Sequence, residues 1–435
     1  MKTIIRSILI LLMTAATASA DTLPEPAAPM AAVSTAQESR AVKIGLFTRW
    51  FEQQGGKFMY DIALEEVPGF GLGLVAHEPV PKGAEYLTIP YKLAIGMETV
   101  LADNKVGPVF SELNKTYGAD ARFALILYLL NQKLVAGAKS AIAPYIDTLP
   151  ASYPDSPLFY SSQDLDMLMG SEIYSDIVNE RESLRGQYES LKKRVFEKYP
   201  EHFPSAKIGF TEFLWGIGTY NSRINYIEGR TPREHFIPMA DMVNCQQPKP
   251  RDDTLKGVED NGRYLFMAAN ANTRAGEQLF FSYGYKSNWE LFKYLGFLLD
   301  DTGNRCVWMR LPYKEGTREK FGYYGAPLLC VAADEIEQKR LVGKFWEYLR
   351  FLAPEPKGEK ELLTLLLAEV EARLARNPYD VTARPEQLAK RYMIFEKTEF
   401  LRIKQAIEQQ LKTPAGISST DGRSAWSTMN SRLPD

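Results

Sequence analysis

Strand-like text occurs twice in this chain, with a long helical stretch between the two runs. The chain therefore reads as strands, a helical insertion, more strands and then a separate helical region. Leu72–Ala76 and Tyr86–Ile89 are short apolar runs punctuated by Pro79, Pro81 and Lys82-Gly83, the pattern of strands joined by turns. Between the two strand regions, residues 121–135 are apolar nearly all round (Ala124, Leu125, Leu127, Leu129, Leu130, Leu134), which predicts a buried helix. Pro144, Pro150, Pro154 and Pro157 then impose a loop-rich passage. Helical, charge-rich text runs through 163–198, and Phe213–Tyr220 predicts another helix. Residues 236–243 are apolar, and strand-like text returns at Tyr264–Ala269 and Gln278–Tyr283. Beyond Leu311 the character changes again. Leu362, Leu363, Leu366, Val370 and Leu374 recur at helical spacing, and Leu388, Tyr392, Phe395 and Leu401 begin a second amphipathic stretch, with Pro385 near its start. The order is strand, helix, strand, helix, without an internal repeat, and the chain closes on a polar tail over 414–435.

A length of 435 residues suits two or three domains, and 45% hydrophobic residues suffice for their cores. Charge separates the function classes. Lys plus Arg (52) nearly balances Asp plus Glu (54), so no whole-chain field draws the protein to nucleic acid or to an anionic membrane surface. The three His (His77, His202, His235) and three Cys (Cys245, Cys306, Cys330) are widely scattered, with no CxxC or HExxH spacing. That argues against a zinc site and against a disulfide framework. No metal is expected, and Cys306 and Cys330 read as small buried hydrophobes.

Residues 1–20 have the three parts of a secretory signal peptide: Lys2 and Arg6, an apolar core from Ile8 to Met13, and Ala18-Ser19-Ala20 before Asp21. The apolar run is too short to span a bilayer, and no later stretch is long and apolar enough to do so. Residues 21–45 read as a linker or a second targeting segment. Secretory delivery is the first expectation; delivery to a plastid through a two-part address is the alternative. Asn114-Lys115-Thr116 is a glycosylation triplet if the chain crosses the endoplasmic reticulum.

Gly71-Leu72-Gly73-Leu74-Val75-Ala76 satisfies the dinucleotide-binding glycine fingerprint letter for letter. That fingerprint needs a helix to follow, with its N-terminus on a pyrophosphate. Here Pro79 and Pro81 follow instead, and two prolines so close together cannot propagate that helix. The glycines read as allowing close backbone approach within a β segment.

Three ordered segments carry more. They are Gly71–Ala76 with Pro81-Lys82-Gly83-Ala84-Glu85 and Ile89-Pro90; then Ile237-Pro238-Met239-Ala240-Asp241-Met242-Val243-Asn244-Cys245; then Ala275-Gly276-Glu277-Gln278-Leu279-Phe280-Phe281-Ser282-Tyr283-Gly284. In this order they resemble the SET-domain protein methyltransferases. Pro144–Pro150, Trp215 ahead of Ser222-Arg223, Lys286-Ser287-Asn288 and Gly296-Phe297 are similar to one branch. It holds the Rubisco large-subunit lysine methyltransferase and the actin-histidine methyltransferase. The resemblance covers roughly 60–410 and weakens after about 310. It implies an α+β fold: a SET domain of short strands over 46–300, split by a helical insertion at about 115–235, then an all-helical substrate-binding domain over 301–413.

The resemblance also implies S-adenosylmethionine as cofactor and a protein side chain as acceptor. Phe70, Gly71 and Leu72 would flank the cofactor, and Arg223 would pair with its carboxylate through a guanidinium fork. Asp241, Met242, Val243, Asn244 and Cys245 would line it, Asn244 by a hydrogen bond, and Phe297 would stack near the adenine. Tyr283 would be the catalytic residue beside the channel where methyl meets acceptor. Asn225, Ala240 and Lys286 would touch the substrate. Two departures matter. Cys245 stands where the family usually has His, which leaves an inactive SET-like binding module as one alternative. Asn225 resembles the histidine enzyme, whereas Ala240 and Lys286 resemble the lysine enzymes. Lysine is the expected acceptor, histidine the alternative, and a monomer is expected.

Overall fold

The computed structural model describes residues 40–118, 120–227, 232–246, 256–259, 263–300, 302–353 and 358–412. The expected signal peptide (1–20), most of the expected linker and the polar tail lie outside the described residues. The linker expected over 21–45 gives way to helix α1 (Arg40–Gln53). Its Phe47 and Phe51 are fully buried, each contributing about 2 to 3 kcal/mol of transfer free energy. Periodicity is weak there, so only tertiary contact reveals the helix.

Strands β1 (Lys57–Phe58), β2 (Ile62–Val67), β3 (Gly71–Ala76) and β4 (Glu85–Pro90) come first. Helices α2 (Met97–Ala102), α3 (Gly107–Tyr117), α4 (Ala121–Asn131), α5 (Ala143–Ile146), α6 (Ser162–Asp166), α7 (Glu172–Leu191) and α8 (Phe210–Arg223) follow. Strands then return as β5 (Ile224–Tyr226), β6 (Glu234–Phe236), β7 (Asn244–Cys245), β8 (Lys256–Glu259), β9 (Tyr264–Ala268) and β10 (Phe280–Phe281). The return closes the sheet. β4 pairs antiparallel with β9, in the order β1-β4-β9-β8, while β2 pairs with β3, β5 with β6, and β10 runs parallel to β7. One hydrophobic core joins both strand regions to the helices between them. Helix α4 is its centre, with Leu125, Ile126, Leu129 and Leu130 fully buried. Helix α8 reaches α4 closely because Gly216 has no side chain: a Cβ there would stand 2.7 Å from Ile126 Cγ2.

After β10 come α9 (Asn288–Glu290), β11 (Val307–Arg310), α10 (Thr317–Phe321), β12 (Leu328–Val331), α11 (Ala333–Glu337), α12 (Lys344–Leu352), α13 (Glu359–Arg376) and α14 (Leu388–Lys412). The all-helical expectation for 301–413 is corrected here. β11 and β12 form an antiparallel pair, each burying alternate residues against the helices. That pair also corrects the reading of two cysteines. Cys306 and Cys330 are joined by a disulfide across the strand pair, with Cα atoms 5.6 Å apart and a sequence separation of 24. Sequence spacing hid the contact because the antiparallel register creates it. A second core fills this region, and a third, with Leu168, Ile173, Phe292, Tyr392 and Met393, fastens it to α7. There the Phe292 and Tyr392 rings stack with centroids 4.7 Å apart.

Candidate methyl-donor and acceptor cleft

Helix α8 ends at Arg223, where Ile224 turns extended and begins β5. A cation in the last turn suits the negative end of the helix dipole. The Arg223 side chain is only 14% exposed and faces Asp241, whose side chain is fully buried, at 3.9 Å. Arg223 Nη1 donates to the Asp241 backbone oxygen at 2.9 Å and contacts Met242 Sδ at 3.3 Å. Arg223 Nε is buried and has no hydrogen-bond partner among the described residues.

The segment carrying Asp241 is bent by strain. Met239, a non-glycine residue, sits at φ 76, ψ −42, a conformation close to the rare γ-turn that costs of order 1 to 3 kcal/mol. Complete burial of Met239 in the core holds it there. The bend presents Ala240–Met242 as a short 3₁₀ turn and delivers Asn244-Cys245 to the parallel pairing with Phe280-Phe281.

Asn244 closes the next link. Its Nδ2 donates to Leu72 O and to Gln278 Oε1, each at 3.0 Å. A Cβ on Gly73 would stand 2.8 Å from that Nδ2, so the middle glycine of the fingerprint serves close approach within β3 and not a phosphate loop.

Tyr283 follows β10. Its hydroxyl donates to Val243 O at 3.0 Å. Burial, helped by the neighbouring Cys245 thiol and Asp241, raises its pKa well above the ordinary phenol range despite the opposing Arg223. The phenol is neutral at working pH, and with its proton committed to Val243 O its oxygen acts as an acceptor.

A cleft of about 600 Å³ opens over these groups, a size suited to an organic cofactor. Of the residues singled out from sequence, Arg223, Asn225, Ala240, Asp241, Val243, Tyr283 and Lys286 line it. Asn225 is buried and donates to Arg223 O at 3.0 Å. Lys286 sits at the rim, 3.6 Å from Glu290. The others stand outside this wall. Met242 is buried beneath Arg223. Gly71 and Leu72 lie on β3, reached through Asn244, and Phe70 is half-exposed with its ring edge-on to Phe280. Phe297 is half-buried beyond the helical turn that supplies Tyr294 and Leu295 to the wall. Cys245 is buried in the β7–β10 pairing, where burial raises its thiol pKa to about 11.

Sequence reading assigned no role to Tyr145, Tyr220, Tyr226, Gln278, Tyr294 or Leu295. Tyr145 and Gln278 belonged to motifs that were quoted, so their positions were visible although their contacts were not. Tyr220 and Tyr226 flank Arg223 and Asn225, a local signal of aromatic density. Nothing in the sequence marks Leu295.

The residues fit the cofactor that the resemblance implies. An unsatisfied guanidinium N–H in a buried cleft wall suits a carboxylate. Among the described residues no group of His, Cys, Asp and Glu is arranged to hold a metal ion, and no helix is long and apolar enough to cross a membrane.

No family model matches the chain. It is 29% identical over 258 residues to the chloroplastic [fructose-bisphosphate aldolase]-lysine N-methyltransferase of Arabidopsis thaliana, covering 58% of this chain and 51% of that protein. It is 27% identical over 306 residues to the human actin-histidine N-methyltransferase, covering 67% of this chain and 50% of that protein. The chloroplastic ribulose-1,5-bisphosphate carboxylase/oxygenase large subunit N-methyltransferase of Pisum sativum is 26% identical over 293 residues, covering 66% and 57%. The chain spans about half the length of the curated relatives it matches. Among solved structures, the SET domain of LSMT bound to lysine and AdoHcy aligns with a TM-score of 0.68 at 20% identity, covering 85% of this chain and 92% of that one. By sequence the chain is similar to the Rubisco large-subunit and actin-histidine methyltransferases, and its fold is that of the SET domain of LSMT.

Proposed function

We propose that the chain is an S-adenosylmethionine-dependent protein methyltransferase whose acceptor is a lysine Nε. The observation that carries this reading is that the unsatisfied Arg223 N–H and the Tyr283 hydroxyl belong to groups lining one cleft. When bound, S-adenosylmethionine supplies a methyl group already activated on a sulfonium. Arg223 would hold its carboxylate, Asn244 would keep β3 and β7 together along it, and Phe70, Gly71, Leu72 and Phe297 would complete its surroundings. Tyr283 orients the acceptor nitrogen through its oxygen lone pairs. It does not act as a base, because its phenol stays protonated. The acceptor arrives as a free amine, a form favoured where burial disfavours the ammonium.

Small, buried Ala240 and rim-standing Lys286 support lysine. Histidine is the second reading, favoured by Asn225, whose amide lies buried in the cleft wall. A SET-like binding module without catalysis is less well supported, because Cys245 lies in a strand pair outside the cleft wall. We read 46–300 as the split SET domain and 301–413 as the substrate-docking region. The distinct hydrophobic core of 307–411 supports that division. For location, the sequence pattern of residues 1–20 supports the secretory route, and the Cys306–Cys330 disulfide supports an oxidising compartment. The plant relatives are chloroplastic, which keeps the plastid route as the alternative.

The test is mass spectrometry of a protein extract incubated with the full chain and isotope-labelled methyl donor. Labelled methyl-lysine supports the reading, labelled methyl-histidine supports the second, and no label in any protein contradicts both.

A further inference from the structure

Two groups from distant parts of the chain meet beside Arg223. Tyr145, on α5, is fully buried, and its hydroxyl donates to Asp241 Oδ2 at 2.5 Å. Asp241 Oδ2 in turn lies 3.9 Å from Arg223 Nη1, beyond hydrogen-bond length. Tyr145 itself is held firmly. Thr148 donates its hydroxyl to Tyr145 O at 2.6 Å, and Phe47 of α1 packs its ring 5.9 Å from the phenol.

A buried carboxylate beside a buried guanidinium would ordinarily close on it as a direct pair. Such a pair would occupy the guanidinium and compete with any other carboxylate. Here the phenol donates to the very oxygen of Asp241 that faces Arg223, and so engages it in place of the guanidinium. The guanidinium is thus charge-balanced, yet its Nε stays without a partner among the described residues.

We infer that Tyr145 is a positioning residue for the methyl donor: by holding Asp241 back, it keeps the Arg223 guanidinium open to the donor's carboxylate. This rests on the methyl-transfer reading above. Loss of the phenol hydroxyl frees Asp241 to close on Arg223, so the carboxylate end of the donor loses its place while the adenosine end keeps its own.

The experiment compares the full chain with its Tyr145→Phe variant in calorimetric titrations with two probes. S-adenosylhomocysteine carries the carboxylate; methylthioadenosine lacks it. Tyr145→Phe should weaken S-adenosylhomocysteine about tenfold and leave methylthioadenosine unchanged, and the KM for donor should rise with little change in kcat. Equal affinity for S-adenosylhomocysteine in both proteins overturns the inference. So does equal weakening of both probes, which marks a packing defect. A second variant closes the remaining gap. In an Asp241→Asn background, Tyr145→Phe should have no further effect, whereas an undiminished effect would show that Tyr145 does not act through Asp241. Failure of the unmodified chain to bind either probe would instead overturn the functional reading, and this inference with it.

Discussion

Asn244 donates its amide to the backbone oxygen of Leu72, 172 residues earlier, at 3.0 Å. The strand before the helical stretch is thereby tied to the strand after it, one residue beyond Val243 of the cleft wall. The contact needs a bare backbone between its partners, since a Cβ on Gly73 would stand 2.8 Å from Asn244 Nδ2 and 2.9 Å from Gln278 Oε1. Gly73→Ala should therefore cost about 1 to 3 kcal/mol in stability, and Asn244→Ala about 1 to 2 kcal/mol through the lost hydrogen bonds. Both should weaken donor binding. Chemical unfolding and calorimetry together check this, and an unchanged donor affinity in both variants would dissociate the contact from the cofactor.

Tyr283→Phe removes only the hydroxyl that donates to Val243 O. The expected result is a folded protein with nearly unchanged donor affinity and kcat lowered roughly 10²-fold, the scale of a lost orienting group in the transition state. Because burial keeps this phenol protonated, methyl transfer by the unmodified chain should gain rate as pH rises and the acceptor loses its proton. Ionisation of Tyr283 should not shape the profile below about pH 10. A steady-state pH series on both proteins measures this.

Thiol counting tests the cysteine assignment. Cys245 is buried and its thiol is pushed up to about 11, while Cys306 and Cys330 are bonded to each other. Iodoacetamide at neutral pH should label no cysteine in the native, unreduced chain and only Cys245 after unfolding without reductant. All three should react after unfolding and reduction. Labelling of Cys306 in the unreduced, unfolded protein would contradict the disulfide.

Glu396 on α14 gives a pH signature in stability. Burial raises its carboxyl to about 7, against the hydrogen bonds that it accepts from Ser171 and Tyr392; Glu172 pushes it up further and Arg373 pulls it down. The folded state thus holds this proton more tightly than the unfolded chain does. Its contribution is fully present below the unfolded pKa near 4.5 and is lost as pH rises through about 7. The size is on the order of 3 kcal/mol. Glu396→Gln keeps a hydrogen-bond acceptor and should flatten the stability profile between those limits, as measured by thermal unfolding against pH.

Much of this architecture was legible in the sequence where a signal is local. The run Leu72–Ala76, the apolar helix near 121–135 and the heptad-like leucines from Leu362 appear as β3, α4 and α13. What escaped depends on partners far away in the chain. β7 and β10 are two residues each and exist only because they pair. β11 and β12, with the cysteine pair beside them, sit in text that composition reads as helical. Helix α1 has no strong apolar stripe, only two phenylalanines that find a core. At the cleft, motif order pointed to Arg223, Asp241 and Tyr283, while the reach of Tyr145 to Asp241 across 96 residues had no local trace.

The central claim is that Arg223 receives the carboxylate of a methyl donor in a cleft shared with Tyr283. The most direct measurement is equilibrium binding of S-adenosylmethionine to the purified full chain and to its Arg223→Ala variant. The account predicts saturable one-to-one binding by the unmodified chain, weakened at least tenfold in the variant, about 1.4 kcal/mol or more. Absence of binding, or equal affinity in the two proteins, would contradict it.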